Sequence, residues 1–134
     1  MHLEPYVYFY GRCEEALDFY KSAIGGTYEL NRFEGSPMAE QLPEHLRSKI
    51  MHATFKGDGF TLMASDGDLS KSVDPDAGNV SLCLAISAEA QAERVFNALS
   101  QGGSIKVPFA DAFWGGKFGS VVDQFGTEWM ITGQ

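Results

Sequence analysis

The segment "VDQFGTEWM" (residues 122–130) decides the fold, because the earlier segment "FKGDGFTLM" (residues 55–63) has the same design. Each contains a turn glycine, Gly126 or Gly59, followed four residues later by a methionine. A glycine between two short apolar runs is typical of a β-hairpin turn, so each segment is predicted to form strand, turn and strand. Gly119, inside the strand before the second hairpin turn, indicates a close backbone approach or a β-bulge.

Two amphipathic helices are predicted, one upstream of each hairpin. The first spans residues 12–24, where apolar side chains recur at spacings of three and four. The second spans residues 88–100, with Ser87 as its predicted N-cap. The apolar stripes consist of Cys13, Ala16, Leu17, Tyr20 and Ile24 in the first helix, and of Ala92, Val95, Phe96 and Leu99 in the second. A pair of glycines follows each helix and predicts its end.

The order of these elements repeats along the chain. A strand-like run precedes each helix, "YVYFY" in the first half and "NVSLCLAIS" in the second, and another strand follows each glycine pair. Adding the hairpins gives β-α-β-β-β twice, in modules over residues 3–66 and 79–132. Because one helix covers one face of a small sheet, we expect both modules to form a single α+β domain over residues 1–134.

Two segments lie outside this repeat. Residues 65–78 are polar and rich in turn formers, which is typical of a linker between modules. Residues 31–49 are extra length in the first module, and such a segment is either a lid over a binding site or a loop that packs on a dimer partner. Pro43 is placed to begin a short helix there. The side chains that could contact an anionic or carbonyl-bearing ligand are Arg32, His45 and Arg47.

The composition excludes several classes of function. The net charge is −8 and the pI is about 4.7, whereas binding to nucleic acid requires clustered Lys and Arg. We find neither an apolar run of membrane-spanning length nor a signal-peptide pattern, so we expect a cytoplasmic protein without a membrane partner. The two cysteines, Cys13 and Cys83, fit reduced thiols better than a disulfide framework.

Three segments carry a resemblance to a known family: "GRCEEALDFYKSAIGG" (residues 11–26), "KIMHATFKGDGFTLMASD" (residues 49–66) and "GGSIKVPFADAFWGGKFGSVVDQFGTEWMI" (residues 102–131). Together they resemble the PhnB-like branch of the vicinal oxygen chelate superfamily, which contains glyoxalases, bleomycin resistance proteins and extradiol dioxygenases. The resemblance covers nearly the whole chain. Some relatives in this branch are called methyltransferases, but no glycine motif for a nucleotide follows a strand here.

The resemblance implies a cup-shaped mixed sheet with helices outside, a homodimer, and, in the enzymes, a divalent metal held by His and Glu. The metal positions lie on the first and the last strand of each module. They correspond here to Pro5, Met63, Ser81 and Met130. Divalent metals prefer His nitrogen or carboxylate oxygen, so these residues predict that the usual metal site is absent and that no cofactor is needed.

The alternation of side chains along strands predicts which residues line the cup. If Pro5 and Ser81 mark the cup face, the residues that share it on the first strand of each module are Val7, Phe9, Cys83 and Ala85. The residues then directed toward the helices are Tyr6, Tyr8, Leu82, Leu84 and Ile86. The predicted ligand-binding residues of this mainly apolar cup are Phe9, His52, Met63, Cys83, Trp114, Glu128 and Met130.

Four residues could carry chemistry. His52 lies mid-strand and is either a base or ligand contact, or a structural hydrogen-bonded residue. Glu128 could pair with His52, bind a polar substrate, or be a carboxylate at the rim. Cys83 could be a nucleophile, but without a Lys or Arg near it in sequence a buried, inert thiol is the better interpretation. Cys13 lies on the buried helix stripe and is expected to be inert for the same reason.

Three functions are compatible with these observations. The first is a homodimeric PhnB-like protein that binds a small organic ligand without the usual metal, with any enzymatic activity unassigned. The second is a metal-dependent lyase or transferase that uses His52 and Glu128. The third is a structural or regulatory protein whose cup is filled by its own side chains.

Overall fold

The computed structural model describes residues 1–74 and 78–133 and divides the chain into two compact units, Met1–Val73 and Asp74–Gln134. Part of the predicted linker, residues 75–77, lies outside the described residues. Within the described residues each unit contains one α-helix and one four-stranded sheet. The repeated β-α-β-β-β order and the α+β class are confirmed.

The first unit has the strand order β1-β4-β3-β2. Its elements are β1 (Tyr6–Tyr8), α1 (Cys13–Ile24), β2 (Thr27–Arg32), β3 (Ile50–Gly57) and β4 (Phe60–Ser65). The second unit has the matching order β5-β8-β7-β6. Its elements are β5 (Leu82–Ile86), α2 (Glu89–Leu99), β6 (Ser104–Asp111), β7 (Lys117–Val122) and β8 (Glu128–Gly133). The first strand of each unit pairs in parallel with the last, and the remaining pairs are antiparallel.

The helices pack as their apolar stripes predict. In α1 the buried residues are Cys13, Ala16, Leu17 and Tyr20, and in α2 they are Ala92, Val95, Phe96 and Leu99. The predicted cap at Ser87 is wrong, because α2 begins after Ala88 without a side-chain hydrogen bond at its cap. The α2 backbone instead follows an extended residue, so the hydroxyl one position earlier is not in the capping position. No helix in the described part of the chain is both long and apolar enough to cross a membrane.

Asp66 fastens the beginning of α1 to the sheet. Its side chain is 1% exposed and accepts hydrogen bonds from the backbone N–H groups of Gly11 (2.7 Å), Cys13 (2.8 Å) and Ile50 (2.8 Å). A carboxylate that follows β4 therefore accepts from the N–H of Cys13, the first residue of α1, where the helix has no side-chain cap of its own, and from Gly11 just before the helix. The contact fixes the corner between β1 and α1 relative to β3.

The glycines of the repeated segments have the two roles expected from the sequence. Gly59 and Gly126 have φ angles of 84° and 85°, in the region that a turn residue with a side chain rarely adopts. A Cβ atom added to Gly119 would lie 2.7 Å from the ring of Phe96 and 2.9 Å from the backbone of Phe109. The requirement at Gly119 is therefore close approach, since α2 and β6 both crowd this point of β7.

Residues 31–49 include two turns of 3₁₀ helix, at Ala39–Gln41 and Glu44–Leu46. The second turn follows Pro43, where a short helix was predicted. Backbone hydrogen bonds close the base of the segment, from the Phe33 N–H to the Lys49 carbonyl (3.0 Å) and from the Glu34 N–H to the Arg47 carbonyl (2.8 Å).

Candidate functional site

In the first unit, one face of the sheet packs against α1. The opposite face is not covered by a helix of that unit, and we call it the open face. Directly paired residues on neighbouring strands share a face. The register pairs Tyr6 with Met63, Met63 with Thr54, and Thr54 with Glu29, and these residues point away from α1. The open face of the first unit consists of Tyr6, Tyr8, Thr27, Glu29, Asn31, His52, Thr54, Lys56, Thr61, Met63 and Ser65.

The predicted orientation of the first strand is wrong. Val7 pairs with the fully buried Ala64, on the side of α1, and Phe9 is 1% exposed with its ring 6.0 Å from that of Tyr20 in the helix. The prediction that Pro5 and Ser81 occupy equivalent positions of the two modules is one residue off. Met63 pairs with Tyr6, and the equivalent Met130 pairs with Cys83, so Tyr6 corresponds to Cys83. Pro5 therefore corresponds to Leu82. A shift of one residue moves every side chain of a strand to the other face, which places Phe9 in the core.

A hydrogen-bonded cluster stands on this open face. The hydroxyl oxygen of Tyr6 lies 3.2 Å from Nδ1 of His52, and the hydroxyl oxygen of Thr54 lies 3.5 Å from Nε2 of the same ring. Both ring nitrogens of His52 therefore face a hydroxyl group. This arrangement orients the imidazole and leaves it half-buried, where a bound molecule can reach the cluster.

Two further tyrosines extend the aromatic surface beside the cluster. The Tyr6 and Tyr8 rings are 5.2 Å apart, and the Tyr8 and Tyr10 rings are stacked at 6.2 Å. Tyr6 is 41% exposed and Tyr8 is 49% exposed. Partial burial raises the pKa of the Tyr6 phenol, so the group keeps its proton at neutral pH. The lining is more polar and aromatic than the apolar cup predicted from the sequence.

The second unit confirms the predicted orientation of its first strand. Leu82 and Leu84 pair with the buried Trp129 and Ile131 on the α2 side, whereas Cys83 pairs with Met130 on the other face. We call this the open face of the second unit. It consists of Cys83, Ala85, Phe118, Ser120, Val122, Glu128, Met130 and Thr132. The thiol of Cys83 is exposed, so the expectation of a buried thiol is wrong there.

The two cysteines differ because they lie on opposite sides of a sheet. Cys13 is fully buried, and burial raises the pKa of its thiol far above its ordinary value, so the predicted inertness has a structural cause. Cys83 points to the open face because the alternation along β5 places it between two residues that pack toward α2.

Glu128 is anchored inside the second unit. It accepts a hydrogen bond from the Ser81 hydroxyl and forms a 2.8 Å ion pair with Nζ of Lys106. The ammonium group, and to a smaller extent the hydroxyl, hold the pKa of Glu128 below its ordinary value. A carboxylate in this state is a hydrogen-bond acceptor and a weak general base. The pairing of Glu128 with His52 stays a prediction.

Trp114 lies in the turn between β6 and β7 and is 61% exposed. Its ring makes edge contacts with the neighbouring Phe113 (4.9 Å) and with Phe118 (5.7 Å) of β7. Since Phe118 belongs to the open face of the second unit, the Trp114 ring lies beside the end of that face.

A cleft of about 530 Å³ lies on the first unit, apart from its open face. Its walls include Gly11, Glu14, Glu15, Asp18, Arg32 and Lys49. Arg32 donates to both carboxylate oxygens of Glu14 at 3.0 and 2.8 Å, which lowers the pKa of Glu14, and Lys49 donates to the Gly11 carbonyl at 2.9 Å. These contacts join the segment 31–49 to α1. They also mean that Glu14, Arg32 and Lys49 already have partners within the protein.

The predicted ligand contacts of the segment 31–49 are engaged in the same way. Arg32 also donates to the Ser48 carbonyl (2.8 Å), and Nε of Arg47 donates to the Leu42 carbonyl (3.2 Å). Both guanidinium groups therefore hold the segment in place, and the structure assigns them no ligand. A role as a lid or as a dimer contact stays a prediction.

The residues at the superfamily's metal positions do not fit a divalent ion. Pro5 has no side-chain donor atom, Met63 and Met130 offer thioethers, and the Ser81 hydroxyl is already hydrogen-bonded. The corrected register puts Glu4 in place of Pro5, which adds a single carboxylate. Across residues 1–74 and 78–133 there is no group of three His, Cys, Asp or Glu side chains that could hold a metal ion. The absence of a cofactor stays a prediction.

Sequence reasoning missed Tyr6, Thr54 and Lys106. The signal for Tyr6 was the alternation of tyrosines in "YVYFY". The pairing of Tyr6 with Met63 shows that the tyrosines face away from α1, which counting back from the helix did not show. Thr54 lies two residues after His52 and therefore on the same face. Lys106 is brought to Glu128 by the pairing of β6, β7 and β8, which no local pattern reveals.

Comparison with known proteins places these features in a family. The model of a family described as 3-demethylubiquinone-9 3-methyltransferase matches residues 1–132. The crystal structure of protein PA1353 from Pseudomonas aeruginosa is 37% identical, with a TM-score of 0.86, over 100% of this chain and 98% of that chain. Protein YjdN from Escherichia coli is 29% identical over 98% of this chain and 94% of its own length.

A third relative carries a functional name. A Bacillus cereus structure described as a putative 3-demethylubiquinone-9 3-methyltransferase, PhnB protein, is 25% identical, with a TM-score of 0.79 and full coverage of both chains. More distant structures named as glyoxalase-related or as glyoxalase/bleomycin resistance protein/dioxygenase, at 19% and 14% identity, have TM-scores of 0.61 and 0.60 and share the fold.

Proposed function

The chain belongs to the family described as 3-demethylubiquinone-9 3-methyltransferase, within the PhnB-like branch of the glyoxalase superfamily, and from this premise we propose that it binds a small organic molecule without the superfamily's metal. The binding surface is the open face of the first unit, and the open face of the second unit is the other candidate surface.

The observation that carries the proposal is the cluster of Tyr6, His52 and Thr54. Its polar atoms are aligned by hydrogen bonds of 3.2 and 3.5 Å and stay accessible beside exposed aromatic rings. Ligand sites typically combine aromatic surface with a few oriented polar groups. A purely structural histidine would be expected on the α1 side, where the core of the unit lies, and His52 is on the opposite face.

The methyltransferase description of the family does not decide the reaction. Nucleotide-containing cofactors are commonly held by a glycine-rich turn between a strand and a helix, and the turn between β1 and α1 has only Gly11. The metal-dependent alternative is not favoured either, because Pro5, Ser81, Met63 and Met130 do not supply the required ligands. Binding or sequestration, with any reaction unassigned, is the function that these residues support.

The proposal includes a homodimer, with a second copy covering the outer strand of the second sheet. β6 is the outer strand of the sheet, and an outer strand presents backbone groups that a second copy can pair with. Ile105 and Val107 on β6 are exposed, and so are Phe113 and Trp114 in the turn that follows it. Sedimentation equilibrium tests the dimer: Val107→Lys is expected to weaken association, and a wild-type chain that stays monomeric would rule the dimer out. The cytoplasmic location stays a prediction from composition.

Native mass spectrometry of protein taken directly from cells tests the binding proposal. The proposal expects an organic adduct on the wild-type chain and its loss in His52→Ala, with Lys71→Ala, a substitution in the polar segment after β4, as the control. Metal analysis is run on the same sample. If the wild-type protein shows only the mass of the bare chain at every collision energy, ligand binding is contradicted. If it carries a stoichiometric divalent ion, binding without a metal is contradicted.

A further inference from the structure

The hydrogen atoms of the Tyr6, His52 and Thr54 cluster can be counted from its chemistry. A neutral imidazole carries one N–H, and each hydroxyl group carries one O–H, so the cluster has three polar hydrogens. The two contacts inside the cluster, at 3.2 and 3.5 Å, use two of them. One hydrogen is left over in either tautomer of the ring.

The position of this remaining hydrogen depends on the tautomer. When Nδ1 carries the proton it donates to the Tyr6 oxygen, Thr54 donates to Nε2, and the phenol hydrogen of Tyr6 is not used within the cluster, so it is available to a bound molecule or to the neighbouring Ser65 hydroxyl. When Nε2 carries the proton it donates to the Thr54 oxygen, Tyr6 donates to Nδ1, and the free hydrogen belongs to Thr54. In both states the open face offers one hydroxyl donor to a molecule that brings an acceptor.

The surface next to this donor suits a flat ring. Tyr6 and Tyr8 lie 5.2 Å apart with an interplanar angle of 36° and expose much of their ring surfaces. Met63 is the direct strand partner of Tyr6 and adds a polarisable thioether at the same place. Aromatic side chains prefer offset or edge contact with other rings at this spacing, so a planar ligand gains more here than a puckered one.

The net charge of the chain disfavours an anionic ligand. On the face itself, Glu29 pairs in register with Thr54 and Lys56 lies on the same side of β3, so these two charges balance. The chain as a whole carries a net charge of −8, which repels anions at longer range. An uncharged acceptor such as a ketone or aldehyde oxygen therefore fits the free hydroxyl better than a carboxylate does.

Resting on the proposed function, we infer that the open face of the first unit binds uncharged aryl carbonyl compounds, with the carbonyl oxygen accepting from Tyr6 or Thr54 and the ring against Tyr6 and Tyr8. Three matched probes test this assignment. Acetophenone has a flat ring and a carbonyl oxygen; α-methylstyrene replaces that oxygen with a CH₂ group; cyclohexyl methyl ketone keeps the oxygen and loses the flat ring.

The readout is the pair of ring ¹⁵N signals of His52, assigned by their loss in His52→Gln, together with a dissociation constant from the titration. Acetophenone is expected to shift these signals. Its dissociation constant is expected to be at least about fivefold lower than that of either of the other two probes. Equal binding of α-methylstyrene would overturn the hydrogen-bond assignment. Equal binding of cyclohexyl methyl ketone would overturn the aromatic one, and benzoate binding more tightly than acetophenone would overturn the preference for an uncharged ligand.

Two phenylalanine variants separate the hydroxyl group from the ring. Tyr6→Phe is expected to weaken acetophenone binding about threefold to tenfold and to leave α-methylstyrene binding unchanged. Tyr28→Phe, which removes a phenol hydroxyl that donates to Asp18 on the α1 side of the same sheet, is the matched control and is expected to change neither. Unchanged acetophenone binding in Tyr6→Phe would overturn the inference.

The outcomes also distinguish this inference from the proposed function. If no probe shifts His52 while native mass spectrometry shows a bound cellular compound that is lost in His52→Ala, the aryl carbonyl assignment is wrong and ligand binding stands. If neither the probes nor a cellular compound bind, both are wrong.

Discussion

Replacing Asp66 with alanine is expected to destabilise the first unit more than any change to an exposed carboxylate. The carboxylate is 1% exposed and accepts three backbone N–H groups, of which those of Cys13 and Ile50 are buried and that of Gly11 is partly buried. Alanine offers no acceptor. The two buried N–H groups then have no partner, whereas the Gly11 N–H has better access to water.

The magnitude follows from these contacts. An unsatisfied buried N–H costs about 1–3 kcal/mol, so two of them predict a loss of about 2–6 kcal/mol. The gain from removing a buried charge opposes this cost and favours the lower part of the range. A domain of ordinary stability has about 5–15 kcal/mol in total, so the loss is a large fraction of what holds the unit together. Asp66→Asn keeps one carbonyl acceptor and is expected to lose less than alanine.

Urea unfolding followed by circular dichroism measures the effect, with the free energy of unfolding taken from midpoint and slope. Asp58→Ala, in the exposed turn between β3 and β4, is the matched control and is expected to leave the midpoint almost unchanged. The His52 ring signals are expected to broaden in Asp66→Ala, because Ile50 begins the strand that carries His52. A loss below about 1 kcal/mol would refute the claim that Asp66 satisfies the α1 terminus.

Three further predictions follow from the placement of single side chains. A thiol reagent is expected to modify Cys83 rapidly in the native protein and Cys13 only after unfolding, as mass spectrometry after timed quenching would show; equal rates would contradict the assigned burial. Lys106→Met is expected to raise the pKa of Glu128 toward its ordinary value, measured by carboxyl ¹³C titration, since Lys106 is the main cause of the lowered pKa; an unchanged titration would contradict the ion pair. Gly119→Ala is expected to destabilise the second unit by about 1–3 kcal/mol in urea, because the added methyl would lie 2.7 Å from an α2 ring carbon; a neutral effect would show that the contact relaxes freely.

The repeated fold was predictable because its signals are local. The apolar stripes of the two helices, with Tyr20 in α1 and Leu99 in α2, follow helical spacing. The turn glycines Gly59 and Gly126 mark the hairpins within nine-residue segments. These patterns depend on residues that are close in sequence, so spacing alone identifies them.

The candidate site was predictable only in part, because it depends on pairing between distant strands. The contact between Tyr6 and His52 joins residues 46 positions apart, and its existence depends on which face of β1 carries the tyrosines. In "YVYFY" both alternating sets are apolar or aromatic, so periodicity shows two faces without showing which one is buried. The register with Met63 resolves this choice, and the same register explains why Phe9 belongs to the core.

Methionine-methyl NMR shows whether an open sheet face binds a small organic molecule. The chain has five methionines; Met63 and Met130 lie on the open faces, while Met1 and Met38 are exposed elsewhere. On titration with a small-molecule extract of the cells that produce the protein, we expect the Met63 methyl signal to shift and those of Met1 and Met38 to stay fixed. Methyl signals of Met63 and Met130 that both stay fixed throughout the titration would contradict binding at either open face.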